Sequence, residues 1–407
     1  MRFLHTADWH IGRTIRGRSR VAEFEAVLAE VVEIARLEQV DAMLVCGDIW
    51  DTYVSNAESD RIVFEALREC VGHGIQVVLL AGNHDNPRKF EALKLLSELV
   101  GIQAQGVVRR PNAGGVLTVE GRDGTAARIA TVPFITEGQY VDAAALMGLE
   151  EHSFSAYADG VGGLLRAMGS GFARDTVNIL ASHLFIDGAK LADVDGSEKL
   201  LHIGRAYGVH PASLPSAGPA PQYIALGHIH QPQTIVGAPV PTAYSGSLLQ
   251  LDFGERGQQK VVRIVELEPG RPPLRDEAVP LTRGKQLVEL TGTLEEVCAR
   301  AEDVRDAHVR VRLDVAAPEP GLAQRLRDAV PQAVDVQLAY QQTEASEVAD
   351  ESASLAQLAP EELFTRYYAE RHHAAPGEPI LRLFRELYEE AASVERVSAV
   401  ASETGDG

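Results

Sequence analysis

Ala42-Met43-Leu44-Val45-Cys46-Gly47-Asp48-Ile49-Trp50-Asp51 is a run of five apolar residues, a glycine, and then two aspartates three positions apart. The apolar run has the length of a buried strand. Gly47 turns the chain out of it, and both carboxylates land just past the strand end. The same unit recurs on either side. Residues 2–6 are a short apolar run that leads into Asp8-Trp9-His10, and the run at 76–80 leads into Gly82-Asn83-His84-Asp85. Between these strands, residues 21–38 repeat apolar positions at helical spacing (Val21, Phe24, Val27, Leu28, Val31, Val32, Ile34, Ala35) with acids on the other face. Residues 57–72 and 88–99 read as helices too. Strand–helix alternation requires crossover connections, hence a largely parallel sheet covered by helices. In such sheets the chemistry sits in loops at the carboxyl ends of the strands, where every motif so far falls.

Working outward, strand signals follow at 128–132, 177–181, 223–226, 243–245 and 261–267. His183 comes after the second of these and Gly227-His228-Ile229-His230 after the third. Residues 142–172 are rich in Ala and Gly and read as helical. The turn-rich stretch Glu268-Pro269-Gly270-Arg271-Pro272-Pro273 marks a boundary. Beyond it, strands at 287–290, 308–315 and 334–340 alternate with helices at 294–302 and 322–330, a small α+β domain. Residues 341–360 are a polar, acidic linker, and amphipathic helices follow at 361–371 and 379–391. The expected organisation is a domain over 1–268 that carries the strand-end motifs, a small capping domain over 280–342, C-terminal helices over 355–392 and a disordered tail over 393–407.

The chain has 407 residues and a formal net charge of −20, which argues against a broad nucleic-acid-binding surface. The charge is uneven: residues 1–110 carry a net of −3, residues 341–407 a net of −9, so the amino-terminal half can still present a basic patch. No apolar stretch is long enough to span a bilayer. Asp8 follows the start too closely for a cleavable signal peptide. Cys46, Cys70 and Cys298 are far apart and form no Cys-x-x-Cys, which reads as a reducing, cytoplasmic compartment.

Taken singly, each motif has an ordinary structural reading. Asp8 can cap a turn, Asp48 and Asp51 can be an Asx turn and a helix cap, and Gly-Asn is a common turn. A lone His183 is more often a satisfied structural histidine than a ligand. Gly-His-x-His is stronger, because two imidazoles on one extended loop converge poorly unless something binds them. All of them in order, on one side of one sheet, form the donor inventory of a two-metal hydrolase. Two divalent ions about 3.5–4 Å apart are a standard device for in-line attack on phosphate esters.

These blocks resemble the calcineurin-like metallophosphoesterases: Asp8-x-His10, Gly47-Asp48-x-x-Asp51, Gly82-Asn83-His84-Asp85, His183 and Gly227-His228-x-His230. A narrower resemblance is to the SbcD family, nuclease subunits of bacterial SbcCD double-strand-break complexes. It rests on His5-Thr6-Ala7-Asp8-Trp9-His10-Ile11-Gly12, the run from Gly47 to Thr52, Gly227-His228-Ile229-His230-Gln231-Pro232-Gln233 and Tyr244-Ser245-Gly246-Ser247. The resemblance implies a metallophosphoesterase β-sandwich flanked by helices, with a small α+β cap and C-terminal helices. It implies one metal on Asp8, His10, Asp48 and His230, and another on Asp48, Asn83, His183 and His228, with Asp48 shared. The hard-oxygen and imidazole set, free of thiolate, suits Mn²⁺. It implies catalytic roles for His84, toward the phosphoryl and leaving oxygens, and for Asp51, which orients His84; Asp85 braces the loop.

The implied activity is DNA cleavage, as a duplex 3′–5′ exonuclease and a single-strand or hairpin endonuclease in end processing, break repair and recombination. The implied partner is an SbcC-type ABC ATPase, docked by the C-terminal helices in a complex of two nuclease and two ATPase chains. A nuclease homodimer through the helices at 57–72 and 88–99 and a nucleoid-associated location go with it. Arg13, Arg16, Arg18 and Arg20, directly after a ligand loop, are expected to contact the phosphate backbone. The competing enzyme reading is a small-molecule phosphodiesterase or phosphatase, which needs neither the extension nor the arginines. A binding scaffold with a vestigial metal site would have lost ligands, and none is lost.

Overall fold

The apolar runs are continuous because each central strand buries both of its faces. In β1 (Arg2–Thr6), Phe3 and Leu4 point to opposite sides. In β2 (Ala42–Cys46), Ala42, Leu44 and Cys46 face one core while Met43 and Val45 face another. β3 (Gln76–Leu80) repeats this with Val78 and Leu80 against Val77 and Leu79. The core under Leu4, Met43 and Val77 is filled by α1 (Val21–Leu37), α2 (Ala57–Gly72) and Phe90 of α3 (Pro87–Ser97). The structure is a computed structural model. It describes residues 1–97, 101–136, 147, 157–191, 208–315 and 321–340, and ten positions between 364 and 384.

The other core lies between two sheets. β4 (Ile102–Gln105) completes a parallel β1-β2-β3-β4 run. The second sheet is built on β5 (Val116–Glu120), β6 (Ala126–Val132), β7 (Val177–His183), β8 (Tyr223–Gly227), β9 (Gln233–Thr234) and β10 (Thr242–Tyr244), in the order β5-β6-β7-β8-β10-β9. Val119, Ile129, Ile179, Ala181, Tyr223 and Ala225 from it interdigitate with Phe3, Leu44 and Leu80 from the first. Its outer face is covered by α4 (Tyr157–Met168) through Val161, Leu164, Leu165 and Met168. The first sheet ends with antiparallel β11 (Val261–Glu266) and β12 (Arg275–Pro280) beside β1. Residues 1–280 thus form a helix-flanked sandwich of two mixed sheets, as the family resemblance implies, and the motif loops leave both sheets rather than the one that the motif order alone suggests.

One boundary differs from the sequence reading. The turn at 268–273 is not a domain linker but the hairpin between β11 and β12, so the first sheet runs on to Pro280 rather than ending at 268. β12 escapes notice because an edge strand needs no apolar run, and half of its residues are charged and most are exposed. The apolar pattern does not announce β4 and β5 either. The Ala- and Gly-rich stretch contributes α4, and its remainder lies largely outside the described residues.

Beyond Pro280, β13 (Leu287–Gly292), α5 (Leu294–Ala299), β14 (His308–Val315), α6 (Leu322–Ala329) and β15 (Ala333–Tyr340) form a three-stranded sheet under two helices. Its small core holds Leu290, Val309, Val311, Val297, Leu322 and Leu326. Glu23 of α1 receives His308 Nε2 at 2.6 Å, joining this capping domain to the body.

Residues 340–407 form a separate compact unit. Phe364, Thr365 and Tyr368 are helical there, as are Glu378, Ile380, Leu381, Arg382 and Phe384, and the rings of Phe364 and Phe384 stack at 4.3 Å. The rest of the segments expected at 355–392 and 393–407 lie outside the described residues. Among the described residues no helix is long and apolar enough to cross a membrane.

Candidate metal centre

The loops after β1 and β2 run side by side, with Asp8 N donating to Gly47 O, His10 N to Asp48 O and Ile11 N to Ile49 O. The backbone of the site is unusual. Asp8, His10, Asp48 and His228 have φ of +52°, +47°, +53° and +100°, four of the six non-glycine residues in the left-handed region among those described. Such conformations cost about 1–3 kcal/mol each and gather at functional sites. The glycines next to the ligands are there for space. A Cβ at Gly47 would lie 2.2 Å from His183 Nδ1, one at Gly82 2.1 Å from Asp48 Oδ1, and one at Gly227 1.8 Å from Cys46 O.

The strand ends bring the expected side chains together in two overlapping sets. His10 Nε2 and His230 Nε2 face each other at 3.1 Å, and Asp8, His10 and His230 present ligand atoms within 4.8 Å of one another. On the other side, His183 Nε2 and His228 Nδ1 lie 3.1 and 3.0 Å from Asn83 Oδ1. Asp48 stands between the sets, its Oδ2 3.5 Å from both His10 Nε2 and His183 Nε2.

Tautomers decide what this geometry wants. His183 Nδ1–H donates to Cys46 O at 2.8 Å, which leaves Nε2 with its lone pair aimed at two further acceptors, Asn83 Oδ1 and Asp48 Oδ2. His230 Nδ1–H donates to Glu255 Oε1 at 2.9 Å, which leaves Nε2 aimed at His10 Nε2. With the rings neutral, as metal ligands must be, these electron-rich atoms converge with no proton between them, and either a cation or an added proton has to fill the gap. Oxygen and imidazole donors without thiolate suit hard or borderline divalent metals, so the residues fit the group that the motifs imply. Protonation within the donor set is correspondingly uneven. Burial acts against a charged His183, but Asp48 outweighs it and lifts its pKa to about 9. Burial and the neighbouring His183 push His228 down to about 3. Burial raises Asp8, while for Asp48 the surrounding imidazoles outweigh burial and hold its carboxyl well below the usual range.

His84 lies beside this donor set. Its ring is edge-on to His10 at 4.7 Å, its amide donates to Asp48 Oδ1, and Nδ1–H donates to Asp51 O at 2.7 Å. Nε2 is therefore the nitrogen left for a substrate. Asp51 holds His84 through its main-chain carbonyl. Its carboxylate instead lies 3.3 Å from His10 Nδ1 and accepts from Arg13 Nη1 at 3.2 Å. Asp85 accepts the amides of Ile49, Trp50 and Gly82, tying the second and third loops together.

The arginine loop requires a correction. Arg20 is 2% exposed, donates twice to Glu23 and once to Gln250 O, and so cannot contact DNA from this position. Arg18 donates to Pro331 O, and Arg16 lies 3.4 Å from Asp335, both of the capping domain.

Sequence reasoning missed three residues. Phe134 stacks on His228 with centroids 6.0 Å apart and meets His183 edge-on. It follows β6 as the other site residues follow their strands, and that rule would have found it. Glu255 and Lys260, buried behind His230, come from a polar turn with no motif.

Residues 1–232 match the calcineurin-like phosphoesterase family, and residues 283–372 match the type 5 capsule protein repressor C-terminal domain. The SbcD subunit of the Bacillus subtilis SbcCD nuclease is 32% identical over 98% of this chain and 100% of its own length. Its counterpart of the same name from Escherichia coli K12 is 28% identical, covering 91% of this chain and 93% of the relative. A dimetal phosphatase from Danio rerio matches at a TM-score of 0.38 and 12% identity, covering 69% of this chain and 99% of that one, too distant to add to the assignment. With its amino-terminal 232 residues matched to one family and a relative similar from end to end, the chain belongs to the calcineurin-like phosphoesterases and, within them, to the SbcD family.

Proposed function

We propose that this chain is a divalent-metal-dependent DNA nuclease that works with an SbcC-type ATPase. The observation that carries the reading is the convergence of His10 and His230 on one side of Asp48, and of His183, His228 and Asn83 on the other, in a chain similar end to end to the SbcD component of an SbcCD nuclease. Asp8, His10, Asp48 and His230 would hold one metal, and Asp48, Asn83, His183 and His228 the other, with Mn²⁺ the preferred ion. When bound, the pair supplies Lewis-acid polarisation of the phosphodiester and a water of lowered pKa.

The chain's own groups supply the rest. Asp51 O holds the proton of His84 on Nδ1, so Nε2 is turned to the phosphoryl and leaving oxygens. The Asp85 brace on three amides keeps the Asp48 and Asn83 loops in register. The capping domain and the C-terminal helices fit a DNA-binding and an ATPase-docking role, with two nuclease and two ATPase chains in the complex. A small-molecule phosphodiesterase is the less favoured reading.

The test is cleavage of end-labelled duplex DNA in Mn²⁺, beside bis-p-nitrophenyl phosphate, by wild type and His84→Gln. The variant should keep its metal and lose at least about a hundredfold in rate, the usual range for a general acid or base. Hydrolysis of the small ester alone, even with the ATPase partner and ATP, would refute the nuclease reading.

A further inference from the structure

Lys260 and Glu255 are buried charges that no expected metal ligand or catalytic role accounts for. Both are at most 5% exposed, and Lys260 Nζ lies 2.7 Å from Glu255 Oε2. A buried ion pair costs desolvation and is a poor source of stability, so its retention points to another use. Every remaining side-chain hydrogen bond of the pair leads to one residue or to the turn that carries the pair. Glu255 Oε1 accepts His230 Nδ1–H at 2.9 Å, and Lys260 Nζ donates to His230 O at 2.9 Å. Glu255 Oε2 accepts Leu251 N at 3.0 Å, and Lys260 Nζ also reaches Gln258 Oε1 at 3.1 Å, which fixes both charges to the turn between β10 and β11.

We propose that the buried Glu255–Lys260 pair is the positioning element of His230, clamping its ring at Nδ1 and its main chain at the carbonyl so that Nε2 stays aimed at the metal site opposite His10. The inference rests on the metal reading above and adds residues to it. His230 is the one that needs such a clamp. It follows β8 by three residues, and its ring remains about a quarter exposed, whereas His183 is fully buried in a strand and anchored to Cys46 O. A carboxylate behind a ligating imidazole fixes the tautomer and the ring orientation, and its loss costs roughly ten- to a hundredfold in metal affinity. Lys260 keeps Glu255 ionised and uses its spare protons to hold the backbone of the same histidine.

The experiment is calorimetric titration of the full chain with Mn²⁺, wild type against Glu255→Gln, with thermal midpoints recorded alongside. The expected result is that one of two binding steps weakens about tenfold to a hundredfold while the other stays unchanged. Two unchanged steps would overturn the proposal. So would equal loss of both steps with a lowered midpoint, which marks a purely structural role. If the wild type binds no divalent metal, the metal reading fails and this proposal falls with it, a result distinct from a wild type that binds two ions and a variant that binds them equally. Should Glu255→Gln fail to fold, ¹⁵N NMR of histidine-labelled wild type with Zn²⁺ decides, His230 being assigned by His230→Asn. The proton belongs on Nδ1, and a proton on Nε2 overturns the proposal.

Discussion

Around Glu23 every charge finds its complement within the chain, and around Asp48 it does not. Glu23 sits at the junction of body and cap and accepts from Arg20 Nε and Nη2, His308 Nε2 and the Lys285 amide. Nearby, Arg310 of the cap stacks on Phe253 at 4.4 Å, and Leu287 N donates to Gln250 Oε1. Asp48 is as buried, but its Oδ2 faces imidazole nitrogens that in turn face one another and Asn83. The backbone differs in the same way: Asp48 and three other site residues sit at positive φ, while Glu23 lies in an ordinary helix. A cluster whose charges are paired by its own chain is architecture. A strained cluster of converging lone pairs is a binding site.

The comparison breaks most visibly if Asp48 is replaced. Asp48→Asn keeps an oxygen for the His84 amide, yet an amide cannot serve both donor sets. Both metal-binding steps should fail, and cleavage should fall by more than the roughly hundredfold typical of losing a supporting partner. Circular dichroism should still report a folded chain. A variant that retained two ions with wild-type affinity would return Asp48 to the same class as Glu23.

Glu23→Gln should do the reverse, lowering stability while leaving metal binding intact. Removing one member of a buried charge cluster costs about 3–5 kcal/mol, because Arg20 and His308 are left facing a neutral group. Burial acts against the Glu23 carboxylate, but the His308 and Arg20 hydrogen bonds outweigh it and lower its pKa to about 2, from an ordinary 4.5. A depressed carboxylate contributes stability above its unfolded pKa and loses it as pH falls toward the folded one. Urea midpoints of wild type and variant should therefore differ most above pH 4.5 and converge between about 4.5 and 2. A gap constant across that window would mean that the charge of Glu23 is not what holds the cap.

The same contrast governs what could be read in advance. Asp8, His10, Asp48, Asn83, His183, His228 and His230 were legible because each ends or follows a strand and several follow a glycine whose missing Cβ the packing demands. The central strands were legible because a doubly buried strand must be apolar throughout. Glu255 and Lys260 were not, since a charged turn looks like solvent-facing loop until β11 and His230 close over it. β12 was hidden for the complementary reason, an edge strand free to carry charge. Arg20 reads as one of four surface cations, although Glu23 three residues on is a local sign of pairing.

The smallest effect is expected in what remains of the arginine loop. With Arg20 buried and Arg13 committed to Asp51, Arg16 and Arg18 are the cations left to meet a phosphate backbone, and both also touch the cap. Their contacts at this exposed edge are worth little, so Arg16→Gln with Arg18→Gln should change stability by less than about 1 kcal/mol. If both meet phosphates, the slope of log affinity against log salt should shrink by about 1.8, since each duplex contact contributes about 0.9. Fluorescence anisotropy of a labelled duplex at several salt concentrations reads this directly. An unchanged slope with an unchanged midpoint would leave the pair as neither architecture nor binding site. An unchanged slope with a lowered midpoint would place the loop on the Glu23 side of the comparison, as a brace between body and cap.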